Sequence, residues 1–172
     1  MTEVTPILEN TRFSSIFEYN RFMTPRLYAG IIFCMRPYDR TWPFGYMHIG
    51  DSMIHTGHPP FSLPWSVAQL ADIYPDLPMV MIHMGHGNGM FIQSALDMAK
   101  KYPNLYLETS GMPMHTKIKE SYRDIGSDRI MWGLDAPFHH PAVEMLKPIV
   151  SGLTDEELED VFYNNVKKLL KL

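Results

Sequence analysis

Short apolar runs alternate with longer amphipathic stretches from about residue 51 to the end of the chain. Four such runs are continuous in their apolar character, which predicts strands buried on both faces, at 53–55, 79–83, 105–110 and 130–135. Helical patterns follow them, through 64–74, 91–101, 118–125, 141–150 and, after a Thr154–Glu157 capping box, to the end. On the first helix we expect Val67, Leu70, Ala71 and Tyr74 to share one face. The alternation predicts a parallel sheet with right-handed crossovers.

The ends of these strands recur at a nearly constant interval. His55 and His83 are 28 residues apart, His83 and Thr109 are 26 apart, and Thr109 and Asp135 are again 26 apart. One strand and one helix account for each step. In a parallel array all strands end at the same edge of the sheet, which is where catalytic and binding groups gather.

The first 50 residues are less regular. An apolar run at 28–35 predicts one earlier buried strand, and 14–23 fits a short helix. We therefore expect a single domain over 1–172, with an irregular segment at 1–50 and strand–helix repeats over 51–172.

Composition narrows the class of protein. The 172 residues are 45% hydrophobic and 20% charged, which is typical of a globular domain. A net charge of −4 gives no basic footprint, so we expect no nucleic-acid partner. The sequence contains no apolar run long enough for a membrane span and no basic, apolar leader, and it has a single cysteine, Cys34. These features favour a cytoplasmic protein that does not associate with membranes.

Three side chains at the strand ends carry the candidate chemistry: His55, His83 and Asp135. Each is followed within two residues by Gly or Pro, so the chain turns and leaves the side chain at the rim. A lone histidine at a strand end is usually structural, but three groups in phase favour a divalent metal site. Neutral imidazole suits zinc, and a metal-bound water is acidic enough to serve as a nucleophile at pH 7.

The remaining histidines leave alternatives open. His58 and His86 each follow a strand-end histidine by three residues, and they either line the substrate mouth or cap the next helix. His139 and His140 follow Asp135 on the same rim, and one of them is expected to touch substrate. We take His86 and His139 as the candidate substrate-binding residues.

Other polar residues are expected to have structural or solvent-exposed roles. Glu108 is expected in a structural salt bridge, His115 in solvent, and Cys34 in the core as an inert thiol. The glycine-rich turn at 85–89 could cradle a phosphate, but it matches neither the Walker loop nor the dinucleotide fingerprint. A doubly wound nucleotide-binding domain is therefore disfavoured.

Five segments together resemble the amidohydrolase-related family, whose members include aminocarboxymuconate-semialdehyde decarboxylase-like enzymes. They are MIHTGHP at 53–59, MIHMG at 81–85, LYLETS at 105–110, GLDAPF at 133–138 and the last helix from LTDEE at 153–157 to YNN at 163–165. The resemblance implies a TIM barrel with one divalent metal ion, commonly zinc. It implies that His55 is a metal ligand, that His83 ligates the metal or positions its water, and that Asp135 is a ligand and proton acceptor. It implies hydrolysis of C–N or C–O bonds, or non-oxidative decarboxylation, of a small organic acid, amide or ester.

The sequence departs from that family in two respects. No His-x-His pair, which supplies two further ligands on the family's first strand, occurs in it. A full barrel takes about 250 residues. We therefore expect an α/β fold, a partial TIM (β/α)8 barrel with about the last four or five strand–helix units. We also expect a homo-oligomer or a partner chain that completes the barrel; the alternative is a catalytically impaired truncated remnant or assembly subunit.

Overall fold

A computed structural model of the chain describes residues 46–48, 51–59 and 62–172. The predicted strand at 28–35, the helix at 14–23 and Cys34 lie outside these residues. The strands are β1 (Tyr46–His48), β2 (Asp51–His55), β3 (Met79–Ile82), β4 (Leu105–Glu108) and β5 (Ile130–Met131). The α-helices are α1 (Pro64–Ile73), α2 (Gly89–Lys101), α3 (Thr116–Ile125), α4 (Pro141–Val150), α5 (Asp155–Glu159) and α6 (Asn165–Leu169).

The strands form one sheet in the order β1-β2-β3-β4-β5. β2 through β5 are parallel, and a helix lies between each successive pair, which confirms the predicted α/β architecture. β1 instead pairs antiparallel with β2, with His48 opposite Asp51. A parallel crossover needs a dozen residues or more, and 49–50 cannot supply it.

Both faces of the sheet are covered. Met79 and Met81 of β3 lie in the main core with the helices, together with Leu105, Leu107 and Ile130 of the neighbouring strands. Val80 and Met131 belong to a second, smaller cluster with Val166 and Leu169 of α6. Because successive strand residues point to opposite faces, α6 packs on the face opposite the main core.

The last helix also covers the outer edge of β5. A π-helical turn, Asp160–Asn164, joins α5 to α6, and this wider turn leaves the Val161 carbonyl to accept a hydrogen bond from Trp132 N at 2.8 Å. The Asn165 side chain donates to the Ile130 carbonyl at 2.8 Å. The Met131 carbonyl accepts from Thr109 N, next to β4, so the backbone groups of Ile130 and Trp132 point away from β4 toward the outer edge of the sheet. The C-terminal helix provides their hydrogen-bond partners there.

Helix and strand ends test the sequence predictions in detail. The helix at 141–150 and the Thr154 capping box are confirmed. The strand expected at 130–135 is wrong in length, because β5 ends at Met131 where pairing with β4 ends. Leu70 of α1 and Tyr74, which directly follows this helix, are exposed, while Val67 and Ala71 are buried, so the expected four-residue face is half right. Among the described residues, no helix is long and apolar enough to cross a membrane.

Candidate metal and substrate site

The predicted strand-end groups lie together at one edge of the sheet. His55 is the last residue of β2, His83 follows β3 directly, and Asp135 lies four residues after β5. The imidazole centroids of His55 and His83 are 4.9 Å apart, and His83 Nε2 is 4.0 Å from Asp135 Oδ2. The structure therefore brings together the three side chains that the sequence predicted as ligands.

A buried hydrogen-bond chain fixes the His83 ring. Its Nδ1 lies 2.9 Å from the Ser110 carbonyl, which only accepts, so Nδ1 carries the proton. Ser110 Oγ lies 2.8 Å from the same nitrogen and donates to Glu108 Oε2 at 2.8 Å. The other ring nitrogen, Nε2, therefore faces Asp135, as in histidines whose second nitrogen is held by another partner.

Glu108 anchors this chain. Its carboxylate also accepts from the backbone N–H of His83 at 3.0 Å and of Ser110 at 2.7 Å, and it is fully buried. Burial raises the pKa of the Glu108 carboxyl. The expected salt bridge is wrong: the carboxylate is satisfied by N–H and O–H donors from the ends of β3 and β4. An alanine at Gly133 would place its Cβ 1.7 Å from Glu108 Oε1, so Gly133 makes room for this group.

Several site residues have an unusual backbone conformation. His83, His86 and Asp135 have φ angles of 65°, 56° and 55°, in the left-handed region that few non-glycine residues adopt. Each such residue costs about 1–3 kcal/mol, and such strain collects at functional sites. In the part of the chain that the structure describes, only two other non-glycine residues have positive φ, Met84 and Lys171.

His55 is neutral near pH 7. Burial, and then the nearby imidazoles of His83, His58 and His86, lower its pKa to about 4. Its Nε2 lies 3.0 Å from His58 Nδ1, and its Nδ1 lies 3.1 Å from Ser62 Oγ. Both nitrogens of His55 therefore have protein partners, and His58 joins the cluster directly.

The two predicted substrate contacts, His86 and His139, face the same space above Gly111. A Cβ at Gly111 would lie 3.1 Å from His139 Nε2 and 3.3 Å from His86 Nε2, so the glycine leaves a cradle between these rings. Burial and the neighbouring histidines lower the pKa of His86. His139 Nε2 lies 3.7 Å from Asp135 Oδ2, which connects this cradle to the predicted ligands. Their contact with substrate stays a prediction.

The donor chemistry of the site fits a divalent cation. Two ligands bound at about 2.1 Å can be at most about 4.2 Å apart across one ion, and the 4.0 Å between His83 Nε2 and Asp135 Oδ2 satisfies this. Neutral imidazoles and a carboxylate are the ligand types that zinc and similar ions take. The described residues nevertheless contain no group of three or more such side chains arranged to hold one ion. His55 would have to exchange its bond to His58 for the metal.

Sequence reasoning missed three supporting residues: Ser110, Glu144 and Lys147. Glu144 is buried on α4 and forms an ion pair with Lys147 Nζ at 2.5 Å. The sequence signal that could have identified this pair is an acidic and a basic residue three positions apart in an otherwise apolar helix. His140 caps α4, because its side chain accepts a hydrogen bond from Ala142 N. His115 is exposed to solvent, as the sequence predicted. Asn88, the last residue before α2, accepts from Met90 N in the glycine-rich turn.

The amidohydrolase family profile matches residues 38–172, most of the chain. The chain belongs to the amidohydrolase family. It is 27% identical to decarboxylase orsB of Emericella nidulans, over 61% of this chain and 38% of that protein.

Solved structures place this amidohydrolase chain in the TIM-barrel fold. An uncharacterized TIM-barrel protein from Bordetella bronchiseptica matches with a TM-score of 0.56 at 20% identity, over 70% of this chain and 45% of the other. A 2,6-dihydroxybenzoate decarboxylase in complex with 2,6-dihydroxybenzoate matches with a TM-score of 0.50 at 19% identity, over 67% and 44%. The chain thus spans less than half the length of these relatives, and the predicted partial barrel is confirmed.

Proposed function

We propose that this chain carries the strand-end half of a metal-dependent active site that decarboxylates a small hydroxylated aromatic acid without oxidation. The observation that carries the proposal is the pair formed by His83 and Asp135. The Ser110 carbonyl accepts the Nδ1 proton of His83, so that the opposite nitrogen, Nε2, and a carboxylate face one space, 4.0 Å apart.

His83 and Asp135 would hold the divalent cation, and His55 would join them as a third ligand. We propose zinc, since neutral imidazoles predominate among these donors. When bound, the cation would supply positive charge opposite the oxygen atoms of an anionic substrate.

The chain's own residues would divide the remaining work. His86 and His139 border the cradle above Gly111, a position from which they can orient a flat substrate beside Asp135. In decarboxylation the bond between the ring and the carboxylate breaks, CO2 leaves, and the ring carbon takes up a proton. Asp135 is the group placed to carry that proton. The decarboxylases among the relatives support this reaction over hydrolysis of an ester or amide.

Metal analysis combined with a turnover assay tests the proposal. The purified chain is dialysed, analysed for zinc and manganese by mass spectrometry, and incubated with 2,6-dihydroxybenzoate while 1,3-dihydroxybenzene is measured. We expect about one metal ion per site, and we expect His83→Ala and Asp135→Asn to lose both metal and turnover. His115→Ala, at an exposed histidine outside the cluster, is the matched control and should lose neither. Turnover of an ester instead of the acid would point to hydrolysis.

The second candidate is a catalytically impaired truncated remnant or assembly subunit of such an enzyme. The absence of a complete three-ligand group among the described residues favours it. Light scattering with and without metal separates the two: a metal-free monomer without turnover supports the remnant. An oligomer or a complex with a partner chain that binds metal supports a site completed by association.

A further inference from the structure

Two turns with the same sequence pattern, His-x-Gly-His, follow β2 and β3 at residues 55–58 and 83–86. Both glycines have positive φ, 105° at Gly57 and 90° at Gly85, and a Cβ on Gly57 would lie 2.4 Å from the Cβ of His86. The two turns therefore pack directly against each other. In each turn the second imidazole lies beside the first, with ring centroids 4.7 Å apart in the first turn and 5.4 Å apart in the second.

The first of these turns directs a ring nitrogen of His58 toward His55. His58 Nδ1 lies 3.0 Å from His55 Nε2. Two nitrogens bound to one tetrahedral zinc ion, each at about 2.0–2.1 Å, are about 3.3 Å apart. The two rings would thus have to separate by only about 0.3 Å for one ion to take the place of the hydrogen bond between them.

Ser62 holds both rings in this arrangement. Its N and Oγ donate to the His58 carbonyl at 3.1 Å and 2.8 Å, and its Oγ accepts from His58 N at 3.2 Å. The same hydroxyl lies 3.1 Å from His55 Nδ1, so Nε2 is the nitrogen of His55 that faces His58. The His58 side chain is exposed, and an ion in solution can therefore reach it.

We propose that His58 is a metal ligand, and that His55 and His58 bind the same cation as the pair of His83 and Asp135. The ring centroids of His55 and His83 are 4.9 Å apart. Two imidazoles on one tetrahedral ion have centroids about 5 Å apart, because each centroid lies about 3.2 Å from the ion. Among the described residues no three donors are arranged around one point, so the two pairs would have to move together around the ion. Zinc accepts a fifth ligand, which leaves room for a substrate oxygen.

The corresponding histidine of the second turn has a different orientation. The Nε2 edge of His86 faces the cradle above Gly111, where an added Cβ would lie 3.3 Å from this nitrogen. His58 therefore has the geometry of a ligand, whereas His86 keeps the position proposed for a substrate contact. The two histidines share one sequence pattern, so they form a matched pair for an experiment.

This inference rests on the proposed function, since it concerns the same cation, but its readouts are metal affinity and a spectrum. The whole chain, freed of metal by dialysis against a chelator, is titrated with cobalt(II) at pH 7.5, and zinc affinity is measured by competition. We expect His58→Ala to raise the Kd by at least about 100-fold, the upper end of the loss that follows removal of an outer-shell partner. His115→Ala, at an exposed histidine outside the cluster, should leave the Kd unchanged. A folded His58→Ala protein with the wild-type Kd overturns the proposal.

A cysteine at position 58 gives a positive signal that does not depend on a loss of binding. A thiolate bound to cobalt(II) produces a sulfur-to-cobalt charge-transfer band in the near ultraviolet. We expect this band in His58→Cys and not in His86→Cys. The wild type accounts for the native Cys34, and His115→Cys accounts for a thiol elsewhere on the surface. A band in His86→Cys with none in His58→Cys overturns the proposal.

The outcomes separate this inference from the proposed function. If His58→Ala loses metal and His58→Cys shows the band, but 2,6-dihydroxybenzoate is not consumed, only the proposed function fails. If His83→Ala loses metal while His58→Ala keeps the wild-type affinity, only this inference fails. A wild-type chain that binds neither cobalt nor zinc overturns both.

Discussion

Gly133 is the position where a single methyl group should do the most damage. It follows the buried residue Trp132 and lies against the carboxylate of Glu108. In Gly133→Ala the new Cβ would be 1.7 Å from Glu108 Oε1 and 2.5 Å from its Cδ, far inside contact distance. Glu108 must then move, although it is fully buried.

The cost follows from what Glu108 holds. It accepts hydrogen bonds from His83 N, Ser110 N and Ser110 Oγ, and bonds to a charged group contribute about 1.5–3 kcal/mol each. A shift that breaks two of them lowers the free energy of unfolding by about 3–6 kcal/mol. With a urea dependence of about 2 kcal/mol per molar, the unfolding midpoint falls by about 1.5–3 M.

Urea unfolding followed by tryptophan fluorescence measures this. Gly87→Ala is the matched control, because a Cβ there meets nothing within 4 Å, and we expect a change within about 0.5 kcal/mol. Glu108→Ala removes the colliding atoms, so adding Gly133→Ala in that background should cost little. An equal cost of Gly133→Ala in both backgrounds would refute the reasoning.

Three further predictions concern parts of the fold away from the site. Arg129 donates to four backbone carbonyls, three around the end of α2 and one at the end of α3. Arg129→Met should therefore cost about 2–4 kcal/mol and lower the melting temperature by about 6–12 °C in calorimetry; an unchanged melting temperature contradicts this. Burial and the hydrogen bond to Asp160 raise the pKa of Tyr122 to about 12, so the stability that the neutral phenol adds is present below pH 10 and is lost as the pH rises through 12. The difference in stability between wild type and Tyr122→Phe should therefore be largest at pH 8–10. A difference that stays constant up to pH 12 would contradict this. Thr154→Ala removes one half of the capping box and should cost about 1 kcal/mol in urea unfolding, whereas Thr116→Ala serves as the neutral comparison.

The sequence was sufficient to predict the location of those site residues whose position follows from the spacing of strands and helices alone. Every strand–helix unit spans about the same length, so His55 and His83 had to reach the same edge once the strands were parallel. His83 and Asp135 then converge even though β5 is short and Asp135 lies in a loop, because Ile130–Met131 still sets the start of that loop.

The supporting residues could not be found in this way. Glu144 meets His139 only because α4 packs over the loop after β4, where Lys147 reaches the Thr109 carbonyl. Glu108 was interpreted as a partner for a cation, and its actual partners are N–H groups that the strand ends expose. Such contacts depend on packing between elements distant in sequence, which no periodicity encodes. The antiparallel pairing of β1 was missed for a different reason, because a strand of three residues is too short to show a periodic pattern.

The placement of the C-terminal helix has a consequence for how this sheet could grow. Val161 and Asn165 occupy the outward groups of β5, and Val166 and Leu169 fill the sheet's second face. An additional strand that pairs with this edge of β5 would have to displace the helix, and it would thereby break the helix's hydrogen bonds and expose its apolar contacts at the same time. Addition of strands at this edge therefore requires the helix to detach, and the bound helix protects the edge from pairing with the sheet edges of other copies of the chain.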